Sequence, residues 1–129
     1  MRIRLIAAIA VLVSAAIHLR LWATVFRNQH VVGPAFVVNA VAGVVIVVLL
    51  LTWRHWIPVF LAFGFGVATL GAFIIAATAG LYGVHEHWRG GYVWTAAISE
   101  AVVIVCAVVI AVQEGQRRKP SGIRRRTLV

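Results

Sequence analysis

The sequence predicts an all-α fold, a four-helix transmembrane bundle with both termini cytoplasmic. Three observations carry this expectation. Apolar runs at 3–21, 35–51, 57–81 and 92–112 are each about long enough to cross ~30 Å of hydrocarbon at ~1.5 Å per residue. Nine of the 12 Lys and Arg residues fall on one side of a four-span topology. All five tryptophans sit at span ends, where indole rings prefer headgroup depth.

Composition excludes most other architectures. The 129 residues are 63% hydrophobic and 12% charged, and the mean hydropathy is +1.00. A water-soluble domain of this length needs polar residues over most of its surface. Four spans with short connections use almost the whole chain, which leaves no room for a separate soluble domain. Helices are required because a lipid-exposed sheet edge would strand backbone hydrogen-bonding groups. The alternation of a transmembrane barrel is absent, since runs such as 44–51 are apolar at every position.

The first span follows Arg2 and Arg4 and closes at Trp22. Its start resembles a secretory signal, with basic residues, an apolar run and then Ser14-Ala15-Ala16. The run continues past that point to Leu21, beyond the usual 7–15 residues of a signal, so it reads as a retained span. Cleavage would instead leave three spans and an external N-terminus. The first connection, 22–33, either extends the first helix or lies along the interface.

Gly33-Pro34 starts the second span, and Pro58 occupies the first turn of the third, where a missing N–H costs little. The connection between these spans is very short, so they are expected as antiparallel neighbours. Gly64, Ala68, Ala72, Ala76 and Gly80 recur every fourth residue along span three and form a narrow ridge of small side chains. Such ridges let helices approach closely where lipid supplies no hydrophobic drive. The ridge serves either packing within the bundle or an interface with another chain. Ala35, Asn39 and Gly43 make a shorter version on span two.

Gly90-Gly91 breaks the chain before span four, and Trp88 and Trp94 bracket that start. The segment 113–129 carries Arg117, Arg118, Lys119, Arg124, Arg125 and Arg126, with Pro120, Ser121 and Gly122. It is expected to be mobile unless lipid or a partner orders it. With Arg2, Arg4 and Arg54 these make the nine charges of the cytoplasmic side, against Arg20, Arg27 and Arg89 opposite. The formal net charge of +9 is therefore a membrane-orientation signal. The basic tail is expected against anionic lipid headgroups, with a protein partner as the alternative and nucleic acid disfavoured.

Two ionisable side chains, His18 and Glu100, lie well inside apolar runs, and ionisable groups at membrane depth mark candidate sites. Counted from the outer boundary at ~1.5 Å per residue, His18 and Asn39 lie ~7 Å deep and Glu100 ~12 Å deep. These three polar groups should share the outer half of the bundle, with His18 and Glu100 facing its interior and close enough to interact, directly or through Asn39 or a water. Ser14, Thr95 and Ser99 are close to them in sequence. The cluster is either a structural hydrogen-bonded network or a proton- or cation-accessible site, unless Glu100 faces a partner subunit.

On the outer surface His30, His85, Glu86 and His87 form a second collection that a transition metal would suit. The spacing matches no strong zinc signature, and an ordinary polar loop is the alternative. Haem would need two histidines inside helices, and only His18 qualifies. Cys106 stands alone in span four, as a small hydrophobe. No nucleophile–base set, phosphate loop or redox cysteine pair appears, so the chain leans away from enzymes, and no cofactor is assigned.

Eleven Arg against one Lys, with abundant Ala, Val and Gly, points to a GC-rich, bacterial genome. The run Ser14-Ala-Ala-Ile-His18-Leu-Arg-Leu-Trp22 with a late-span Glu100 resembles small uncharacterised four-span membrane proteins of high-GC, actinobacterial type. That resemblance implies layout and a bacterial cell membrane, and no activity. The expected function class is a non-enzymatic accessory or self-associating component of a membrane complex. The alternative is a small transporter or proton- or cation-handling protein using Glu100 and His18.

Overall fold

The computed structural model describes residues 1–80 and 91–118. It consists of four helices, α1 (Arg2–Leu21), α2 (Val32–Thr52), α3 (Trp56–Thr78) and α4 (Gly91–Arg118), with no strand among the described residues. All four are long and apolar enough to cross a membrane. Their outward faces carry Leu5, Ile9, Val38, Val45, Phe60, Val67, Ile74 and Val105, all exposed. An apolar exterior of that extent suits hydrocarbon rather than water.

Element boundaries follow local chemistry. α1 does not stop at Trp22: a π-helical turn, Trp22–Phe26, continues it, as the extended-helix alternative anticipates. The Trp22 N–H is shared between the carbonyls of His18 and Leu19 at the junction. The chain then folds back so tightly that a Cβ at Gly33 would stand 2.5 Å from the Phe26 carbonyl oxygen. Glycine is the residue that permits this approach. His55, in extended conformation, caps α3 by accepting from the Ile57 N–H. α4 runs on to Arg118, so 113–118 is helical rather than part of a mobile tail; residues 119–129 lie outside the described residues.

α1 packs most extensively against α2 and α4, and α3 packs chiefly against α4. α2 and α3 are antiparallel neighbours, as expected, yet theirs is the slackest of the four adjacent contacts. α2 and α4 stand diagonally opposite, with no close backbone approach. Two glycines set the close crossings. At Gly43 an added Cβ would come within 2.8 Å of the Ala15 Cβ, and at Gly66 one would meet Ile104 at 2.8 Å and the Glu100 carbonyl at 3.1 Å.

The buried core lies in the half of the bundle that contains the N-terminus and the α2–α3 connection. Ala7, Val11, Leu50, Ala62, Val103 and Ala107 are its most enclosed members. Arg4 closes this half and is only 3% exposed. Its guanidinium pairs with Glu114 Oε1 at 2.6 Å. It also donates to the carbonyls of Leu50 (3.5 Å), Trp53 (3.2 Å) and His55 (3.1 Å). Those carbonyls include free acceptors at the C-terminal end of α2, which hydrocarbon cannot solvate. One side chain therefore joins α1, α2, the connection and α4.

Candidate functional site

The opposite half of the bundle holds a cavity of about 300 Å³ among all four helices. α1 contributes His18, α2 contributes Ala35, Phe36 and Asn39, α3 contributes Ala68, Thr69, Ala72, Phe73 and Ala76, and α4 contributes Ala96 and Glu100. Phe26 of the π-helical turn stacks on Phe36 with ring centroids 4.7 Å apart, and His18 tilts against the same ring at 5.1 Å. Ala35 and Ala68 line the cavity and are solvent-accessible, and the slack α2–α3 contact leaves it open on that side.

Glu100 lies on the cavity wall and is 2% exposed. Its Oε1 stands 3.8 Å from His18 Nε2 and accepts from the Ser14 hydroxyl at 3.2 Å. Ser14 precedes His18 by one helical turn, so the two share a face of α1. The Ser14 carbonyl accepts a hydrogen bond from His18 Nδ1 at 2.8 Å. A carbonyl oxygen only accepts, so the proton is on Nδ1 and Nε2 is free to face Glu100. With neutral imidazole and ionised carboxylate, two lone pairs would oppose each other. A proton on either Nε2 or Oε1 would relieve that opposition. The separation is about 1 Å beyond direct hydrogen-bond distance, so transfer needs a small closure or a bridging water.

Asn39 comes to the same cavity but does not complete the network. Its Nδ2 is buried with no hydrogen-bond partner, so of the expected alternatives His18 and Glu100 approach each other directly rather than through Asn39. Thr95 and Ser99 stay outside the cluster, because their hydroxyls donate to the Gly91 and Ala96 carbonyls of their own helix.

The ridge on α3 also differs from its expected role within the bundle. Gly64 has nothing within 4 Å of an added Cβ, and Gly64 and Ala68 are exposed. Ala68, Ala72 and Ala76 line the cavity instead. The close α3–α4 approach runs through Gly66, two positions off the ridge. Of the shorter ridge on α2, only Gly43 packs tightly.

Of the outer collection, His30 sits exposed in the turn before α2, and His85, Glu86 and His87 lie outside the described residues. Among the described residues, no three His, Cys, Asp or Glu side chains form a group that would hold a metal ion. Cys106 is buried in the core. Sequence reasoning missed the reach of Arg4, counted only as a flanking charge, and the bond from Ser14 to Glu100. The four-residue Ser14–His18 spacing was the available signal for the second.

The chain matches no protein-family model, no curated protein and no solved structure.

Proposed function

We propose that this chain is a multi-pass protein of a bacterial cell membrane, with both termini cytoplasmic, that takes up and releases a proton at the His18–Glu100 pair from the external side. The observation that carries the reading is the opposition of Nε2 and Oε1 at 3.8 Å on the wall of a cavity, with the imidazole tautomer set by the Ser14 carbonyl. The nine-to-three charge asymmetry supports the orientation. Arg117 and Arg118, exposed at the end of α4, begin the basic segment assigned to anionic headgroups.

The test is labelling of the full chain in lipid vesicles with dicyclohexylcarbodiimide, which reacts with protonated carboxyl groups in apolar surroundings. Glu100 is expected to label with a pH-dependent yield, and His18→Phe is expected to displace that profile. Absence of labelling at every pH, or an identical profile in the His18 variant, overturns the reading. Reporter fusions at Val129 and within 85–89 are expected on opposite sides, and an external C-terminus overturns the orientation.

A second reading, an accessory or self-associating component of a membrane complex, is favoured by the exposed Gly64 and Ala68 on α3. Purification in mild detergent, with identification of co-purifying chains, tests it. A lone monomer removes this reading.

A further inference from the structure

We infer that the cavity between α2 and α3 binds a lipid-soluble, quinone-class molecule, meaning a flat conjugated ring with carbonyl oxygens on an apolar tail. The inference rests on reading His18–Glu100 as a shared-proton pair. Four features of the cavity select that chemistry.

The first is the Asn39 amide, whose Nδ2 is buried and has no partner. A buried unpaired donor is costly, and an acceptor brought by a ligand removes that cost. The second is the His18–Glu100 pair on the wall formed by α1 and α4, where a proton on Nε2 or Oε1 is a further donor. Asn39 on α2 and Glu100 on α4 line the same cavity from helices that make no close backbone approach, so a ligand between them can meet both donors. A ring with carbonyls at both ends accepts from both.

The remaining two features are shape and access. Phe26, Phe36 and Phe73 line the cavity with aromatic surface, and the small side chains of Ala68, Ala72 and Ala76 leave space for a planar head. About 300 Å³ falls at the small end of the ligand-pocket range. The opening between Ala35 and Ala68 faces outward on the apolar exterior, where an apolar tail would remain in hydrocarbon. Competing classes fit less well. An organic cation offers no acceptor to Asn39, an anion meets the Glu100 carboxylate, and a hydrated metal ion finds walls that are mostly apolar.

The experiment uses the full chain in phosphatidylcholine nanodiscs, with decylubiquinone as the probe and empty discs as the baseline. Saturable retention above the baseline is expected. Asn39→Leu should weaken it roughly tenfold, the equivalent of one lost hydrogen bond. Ala72→Phe should abolish it by filling the space. Thermal unfolding of Asn39→Leu should be unchanged or raised, since no hydrogen bond is lost, and this separates loss of binding from loss of fold. Retention equal to empty discs overturns the inference. So does unchanged affinity in both variants, or displacement of the probe by dodecyltrimethylammonium. Carbodiimide labelling of Glu100 on the same sample separates the two ideas. Labelling without probe binding leaves the proton reading standing and removes this one, whereas protection of Glu100 by the probe supports both.

Discussion

At the end of the bundle that holds the chain's start, Arg4 and Glu114 meet at 2.6 Å, with Arg4 capping three backbone carbonyls. At the other end His18 and Glu100 stand 3.8 Å apart beside a cavity that the unpaired Asn39 amide also lines. Both pairs join α1 to α4, and both include a side chain almost fully removed from solvent. Space adjoins both, with a pocket of about 400 Å³ beside Glu114 and one of about 300 Å³ beside Glu100. They differ in their polar partners. The Arg4 guanidinium spends its donors on Glu114 and backbone carbonyls, so its pair closes a structure. The His18–Glu100 pair leaves a proton to be placed.

The small residues also differ between the two ends. Ala7, Ala8, Ala62 and Ala107 let helices pack into a core in the first half. Ala68, Ala72 and Ala76 line a void in the second. The residue types match, so size alone does not decide between packing and space. The approach of the facing helix decides it: α3 closes on α4 at Gly66, while α2 and α3 diverge in tightness of contact.

The largest expected effect comes from breaking the closed end. Arg4→Met removes the donors to Glu114 and to the Leu50 and His55 carbonyls, while Trp53 keeps the His55 N–H, and should cost about 2–4 kcal/mol of stability. Glu114→Gln should cost less, because its side chain is 29% exposed. Reversible unfolding in detergent measures both, and equal losses would show that the carbonyl caps contribute nothing.

Next in size is a pair of glycine substitutions on α3. Gly66→Leu drives a side chain into Ile104 and the α4 backbone and should cost about 1–3 kcal/mol. Gly64→Leu, with open space around it, should change stability by less than about 0.5 kcal/mol. If another chain packs on the ridge, the Gly64 variant should shift the oligomeric state seen by light scattering. Similar unfolding curves for the two variants would break the distinction between the closed crossing and the open face.

Smaller again is Ser14→Ala, which removes the hydroxyl bond to Glu100 and keeps the carbonyl bond to His18. It should cost about 1 kcal/mol. The pH profile of carbodiimide labelling at Glu100 should shift, because the carboxylate loses a donor that favours its ionised form. A stability loss with no change in that profile would make Ser14 a packing residue only. Glu100→Gln should have the smallest effect on unfolding, since the amide keeps hydrogen bonding, while it abolishes labelling. A large loss of stability in that variant would make the two ends of the bundle alike.

Helix class, number and approximate bounds were legible because they depend on local quantities: run length, charge at the flanks and aromatic residues at the ends. The similar depth of His18, Asn39 and Glu100 followed from counting residues along helices of constant rise. Rotation about each helix axis and the order of helices around the bundle are not local. They placed Asn39 diagonally from Glu100, turned the alanine ridge toward a void and gave the close crossing to Gly66. Lipid is as apolar as the side chains it contacts, so hydrophobic patterning along a span carries little information about which face turns inward. That choice rested on steric fit at a few glycines and on polar groups finding partners, and only the assembled tertiary structure made it.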